Sequence, residues 1–99
     1  ATISQSDPYH VELTQIASTG DNWADIVQSG GDNALFALQD STFGYGSNSL
    51  IVTQSGAWND AFTTQIGASN KARILQMNSG NVANISQNGN SNTAVVIQQ

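Results

Sequence analysis

Glutamine recurs in this chain on a beat. Gln15, Gln28, Gln39, Gln54, Gln65, Gln76, Gln87 and Gln98 are separated by steps of 13, 11, 15, 11, 11, 11 and 11 residues. Six residues before each of the last seven stands an asparagine: Asn22, Asn33, Asn48, Asn59, Asn70, Asn81 and Asn92. Tyr9 takes that place in the first unit. The common unit is N-x-φ-x-φ-x-Q, with φ usually apolar, followed by a connector. A fixed period of this kind marks a repeat architecture, in which a unit buries its apolar face only against its neighbours.

Within each unit the period is two. The φ positions are Val11/Leu13, Ala24/Ile26, Leu35/Ala37, Leu50/Val52, Ala61/Thr63, Ala72/Ile74, Ala83/Ile85 and Ala94/Val96. Such alternation is the mark of a strand with one buried face, so these side chains are the expected core. The residues between them (Asp25, Ser49, Asp60, Lys71, Arg73, Asn84) suit a face in water. The connectors SGGD (29–32), SGAW (55–58), NSGN (78–81) and NGNS (88–91) have turn chemistry. Gly30, Gly56, Gly67 and Gly89 are the turn glycines, each two places after a glutamine and free to take positive φ. The pattern predicts eight strands of about seven residues each. Helix is disfavoured because Gly and Asn return too often for three clean turns. Pro8 precedes the first strand and interrupts none. Residues 1–8 read as an N-terminal leader that need not be ordered, and residues 9–99 as one repeat domain.

The fold class is therefore all-β. Two strands per coil give a β-solenoid of about four rungs, while a flat antiparallel meander would show the same alternation. The amides separate the two. Parallel, in-register strands place Gln15, Gln39, Gln65 and Gln87 above one another, and likewise Gln28, Gln54, Gln76 and Gln98. Each inward glutamine then donates to one neighbouring rung and accepts from the other, at a strand spacing of about 4.8 Å. Stacked charges would repel, and an apolar column would hold register only weakly. The asparagines can ladder in the same way or bond the turn backbone. In a meander Gln would face Asn and the ladder would vanish. The coil is the better reading, with the longer connectors 16–21 and 40–47 on one side and a cross-β architecture on assembly.

Composition narrows the function. Only 9 % of the 99 residues are charged, the net charge is −5, and Lys71 and Arg73 are the only cations. Binding nucleic acid needs cations to displace counterions, so that class is nearly excluded, and anionic membranes are disfavoured for the same reason. No run of about 18 apolar residues exists to insert into a bilayer. Cysteine is absent, which removes disulfides, zinc–thiolate sites and thiol nucleophiles. A chain starting at Ala1 reads as one whose signal peptide has been removed.

No catalytic, cofactor-binding or metal site is expected. His10 is the only histidine, no G-x-S-x-G elbow occurs, and GGDN (30–33) does not complete a calcium-binding nonapeptide. Asp21, Asp25 and Asp32 read as solubility charges; Asp60, Lys71 and Arg73 read as gatekeepers against premature sticking. Phe36 and Phe62 occupy equivalent outward positions on adjacent rungs, placed to stack. Trp23 and Trp58 lie near turns, with a structural role.

A rung this small encloses about four small side chains. Each buried Val or Ile contributes roughly 1.5–3 kcal/mol, against about 1–2 kcal/mol of backbone entropy per ordered residue. Solenoids normally close their ends with capping repeats, yet the last unit, NTAVVIQ (92–98), is as regular as the rest. Open strands template another copy. The expected partner is the chain itself, in a head-to-tail homopolymer. The alternative is a monomeric β-solenoid binding or adhesin domain, for ice or another surface. The outward column His10, Ala34, Asp60, Val82 lacks the repeated Thr that ice binding favours. A small hydrolase would scarcely fit on four short rungs.

The pattern Q-x-G-x-x-N-x-A-x-x-x-Q resembles the curlin repeat of bacterial curli subunits. It is complete in QSGAWNDAFTTQ (54–65), QIGASNKARILQ (65–76) and QNGNSNTAVVIQ (87–98). QSGGDNALFALQ (28–39) has Leu35 for the Ala, and QMNSGNVANISQ (76–87) has Asn78 for the Gly. The resemblance covers about residues 9–99. It implies secretion across the outer membrane and assembly into extracellular amyloid fibres of the biofilm matrix, supporting surface adhesion without catalysis. It also implies curli secretion and nucleation machinery as partners, and structural roles for the glutamines and asparagines named above. The chain departs from the family in its stretched connectors and in lacking the glycine-rich N-terminal segment of the major subunit.

Overall fold

The computed structural model describes residues 2–5, 10–16, 21–41 and 46–99. Tyr9, Pro8 and most of both long connectors, including the side on which these project, lie outside the described residues. Among the described residues there are nine strands: β1 (Thr2–Gln5), β2 (His10–Ile16), β3 (Asn22–Gly31), β4 (Ala34–Asp40), β5 (Asn48–Ala57), β6 (Asp60–Ile66), β7 (Lys71–Gln76), β8 (Val82–Asn88) and β9 (Thr93–Gln98). No described residue is helical.

Odd and even strands separate into two sheets, β1-β3-β5-β7-β9 and β2-β4-β6-β8. Every pairing is parallel. Because consecutive strands alternate between sheets, the chain winds as a β-solenoid of about four turns. Its principal extents are 37 × 20 × 13 Å. Register follows the repeat: Gln15, Gln39, Gln65 and Gln87 align across the even sheet, and Gln28, Gln54, Gln76 and Gln98 across the odd sheet. A slip of one residue would turn every apolar side chain outward, so the buried columns and the amides enforce one register.

The core is the set of inward φ positions. Ala24, Ile26, Leu35, Ala37, Leu50, Val52, Ala61, Ala72, Ile74, Ala83 and Ile85 form one buried cluster. Val11, Leu13, Ala94 and Val96 pack on it but are only partly buried, because β2 and β9 are edge strands that lack a rung on one side. Thr63 stands between Ala37 and Ile85 in an inward column, buried, and its Oγ1 has no hydrogen-bond partner. An unpaired buried hydroxyl is costly. Thr63→Val keeps the shape and removes it, so the variant is expected to gain about 1 kcal/mol, read as a higher urea midpoint with unchanged slope.

Two sequence-based expectations need correction. The strands number nine rather than eight: Thr2–Gln5, read as part of a leader, pairs with Asp25–Gln28 in the odd sheet, Ile3 beside Ile26. In register this segment matches the closing residues of the later repeat units, Gln5 beside Gln28. The signal was the tripeptide Ile3-Ser4-Gln5, which recurs as Ile85-Ser86-Gln87. Strand length also differs, since β3 and β5 run to ten residues each. Their pairing continues through the turn, Gly30 beside Gly56 and Gly31 beside Ala57, because successive turns superimpose.

Candidate functional site: amide ladders, turns and open ends

The glutamine side chains point between the two sheets. In the even sheet Gln15 Nε2 donates to Gln39 Oε1 at 2.8 Å, Gln39 to Gln65 at 2.9 Å, and Gln65 to Gln87 at 2.9 Å. In the odd sheet Gln28 donates to Gln54, Gln54 to Gln76 at 2.8 Å, and Gln76 to Gln98 at 2.9 Å. Gln28, Gln39, Gln54, Gln65 and Gln76 are almost wholly removed from water. A buried carboxamide is tolerated only when its donors and acceptor are satisfied, and here each has its partners.

The second N–H of each amide does something the sequence did not announce. Gln65 Nε2 donates to the Ser49 carbonyl at 3.1 Å, Gln76 to Asp60 at 3.0 Å, Gln87 to Lys71 at 2.9 Å, and Gln98 to Val82 at 2.9 Å. Each of these carbonyls lies on the opposite sheet, at the start of the preceding strand. The glutamines thus tie rung to rung and sheet to sheet at once. Nothing in the repeat spacing marks the cross-sheet acceptors, since any residue can supply a carbonyl.

Of the two arrangements open to the asparagines, bonding to main chain prevails. Among the described residues only Asn48 and Asn22 join side chain to side chain, Asn48 Nδ2 donating to Asn22 Oδ1 at 3.2 Å. Elsewhere Oδ1 accepts the backbone N–H of the next asparagine in the column: Asn33 from Asn59, Asn48 from Asn70, Asn59 from Asn81 and Asn70 from Asn92, all at 3.1 Å. The Nδ2 group donates into the turn carbonyls, Asn59 to Ser55 at 3.2 Å and to Asn78 at 3.0 Å. Asn70 repeats this with Ile66 and Gly89. The side chain is one methylene shorter than glutamine and sits at the corner, so main chain is what it reaches. Asparagine fixes the turns; glutamine fixes the stack.

The corners contain pairs of residues with positive φ. Gly30, Gly56 and Gly67 share φ of 110°, and Gly89 has 117°. Two places on, Asp32, Trp58, Ser69 and Ser91 take φ between 52° and 61°. At these four corners the second position escapes a sequence reading because it is not filled by glycine; in the turn after β7 the order is reversed, with Asn78 first and Gly80 second. A Cβ on Gly56 would fall 1.7 Å from the Asn78 carbonyl oxygen, and one on Gly30 1.8 Å from the Gly56 oxygen. Gly89, with no later rung over it, would meet nothing nearer than Asn92 Nδ2 at 3.6 Å.

The outer faces carry the charges unevenly. Glu12, Asp21, Asp25, Asp32, Asp40 and Asp60 lie between β2 and β6, whereas Lys71 and Arg73 lie on β7. Phe36 and Phe62 stack with ring centres 5.4 Å apart, and His10 rests against Phe36 at 5.2 Å. His10 Nε2 is 3.8 Å from Glu12, both well exposed. Trp58 is exposed at its turn. Among the described residues, no three of His, Cys, Asp and Glu are placed to share a metal ion. No described helix is long and apolar enough to cross a membrane.

Comparison with known families then gives one match: the curlin associated repeat, over residues 46–77. That segment carries the curlin repeat. No curated protein and no solved structure matches it. The matched curlin segment is about a third of the chain and takes in β5, β6 and β7, with Gln54, Gln65 and Gln76. Strand register carries its columns into the other curlin-like units, where Gln15, Gln28, Gln39, Gln87 and Gln98 occupy equivalent places.

Proposed function

We propose that this curlin-repeat protein is the structural subunit of an extracellular, curli-like amyloid fibre that grows head to tail by stacking rungs. The observation that carries the reading is the state of the two ends. β1, β2, β8 and β9 each have a partner on one side only, and the inward side chains of β2 and β9 are half-buried where their central counterparts are sealed. The ends are also complementary. Each described ladder bond runs from the Nε2 of an earlier rung to the Oε1 of a later one, so Gln87 and Gln98 face outward as donors and Gln15 as an acceptor. A second copy satisfies both. The amide ladders supply register and strength, the turns let rungs approach closely, and no chemical step is involved. Secretion to the cell surface, a place in the biofilm matrix and dependence on curli secretion and nucleation factors come with the family reading.

Purified chain incubated at neutral pH is expected to raise thioflavin fluorescence and to give fibres diffracting at about 4.8 Å along and about 10 Å across the axis. A sample that stays monomeric at high concentration would sink the reading in favour of a binding solenoid.

A further inference from the structure

Among the described residues the two sheets are unequal, with five strands in one and four in the other. This has a geometric consequence for the polymer, and the inference rests on the head-to-tail reading above. If copies stacked without rotation, the five-stranded sheet would always lie over the five-stranded sheet. The four-stranded sheet would then fall one level behind at every junction, leaving a gap of one strand spacing, about 4.8 Å. Backbone groups bordering such a gap would be buried without partners. Rotating each copy by a half-turn puts five over four and four over five, and both sheets run on unbroken.

A half-turn is available only if the two sheets can replace each other, and they can. The corner from odd to even sheet at Gly56 and Trp58 has φ of 110° and 60°; the corner from even to odd at Gly67 and Ser69 has 110° and 59°. The cross-sheet bonds are equally indifferent to direction. Gln65 reaches Ser49 and Gln76 reaches Asp60 with the same sixteen-residue separation, one from each sheet. The molecule already follows a near half-turn screw along its own axis. We infer that this screw continues across the junction, so that successive copies of the 99-residue chain are related by about a half-turn.

The junction is then defined residue by residue. β2 of the next copy lies on β9, with its Gln15 over Gln98, and its β1 lies on β8. With that register Glu12 of the next copy enters the outward column of Arg73 and Val95. Arg73 and Glu12 are two strand spacings apart, within reach of two long side chains of opposite charge. Unrotated stacking would place Thr2 there instead. β1 decides the outcome, because without it both sheets have four strands and no rotation is needed.

The test is the helical symmetry of fibres grown from the full chain, determined by cryo-electron microscopy. The expected result is a rise of about 22 Å per copy, four and a half strand levels, combined with about a half-turn. In Ile3→Asp, a carboxylate enters the apolar column over Ile26 and should expel β1; in Ile3→Pro the ring does the same through the backbone. Fibres of either variant are expected to shift to a rise of about 19 Å without the half-turn. Wild-type fibres stacked by translation alone overturn the inference while leaving the polymer reading intact. So do variant fibres that keep the half-turn. A wild-type chain that forms no fibres removes the polymer reading, and the inference with it.

Discussion

Gln54→Glu is expected to be folded at pH 3 and largely lost at pH 7. Gln54 is fully buried, accepts from Gln28, and donates to Gln76 Oε1 at 2.8 Å and to the carbonyls of Ala34 and Asn59 at 3.0 and 3.1 Å. A carboxylate there keeps the contact from Gln28 but turns toward three oxygens with no proton to offer. An uncompensated buried charge costs about 3–5 kcal/mol, comparable with the whole stability of a small domain. Protonated, the same group donates to one of the three and the loss shrinks. The folded-state pKa of the introduced carboxyl is therefore raised above its unfolded value of about 4.3. The folded form binds the extra proton, so stability is fullest below about pH 4 and falls as pH rises through the raised value. Urea titrations followed by circular dichroism at the two pH values read this directly. Gln54→Leu, which carries no charge, should lose about 1–3 kcal/mol at both. Equal losses for the Gln54→Glu variant at the two pH values would mean that residue 54 is not in a buried ladder.

The second large effect is expected for Gly56→Ala. One methyl group is placed 1.7 Å from the backbone oxygen of Asn78, on a residue whose φ of 110° an L-side chain seldom adopts. The obstacle is main chain rather than a flexible side chain, so the rungs must part or the turn must change. Strained backbone and overpacking each cost roughly 1–3 kcal/mol, which together approach unfolding. Gly31→Ala is the control one residue from the same column: a Cβ there meets nothing within 4 Å. It should stay within about 0.5 kcal/mol of wild type. Urea midpoints of the two variants decide the matter, and similar values would place the Gly56 turn away from the next rung.

Much of this molecule was readable before any coordinates. The glutamine beat and the period-two pattern gave the strands, the inward columns and the parallel register. They could do so because a solenoid repeats one local environment, and an amide that must stack on its own kind reports its neighbours. The asparagines were less legible. Side-chain ladder and turn-backbone bonding are both open to a short amide; the corner geometry selects the second, to which the Asn22–Asn48 pair adds one side-chain bond. Asp32, Trp58, Ser69 and Ser91 hid the second left-handed position in four of the turns, since none of them is a glycine; in the turn after β7 the pair is Asn78 and Gly80.

By itself, then, the order of residues determined which side chains face inward, which amides stack, and that rungs of eleven-residue units repeat. Tertiary structure alone decided that Thr2–Gln5 joins the odd sheet and that each glutamine bridges both sheets. It also set the sheets at five strands and four. The reason is physical. Inward-facing patterns are local and written in side-chain type, whereas bonds to main-chain carbonyls and the pairing of a terminal half-unit depend on what the completed coil brings alongside.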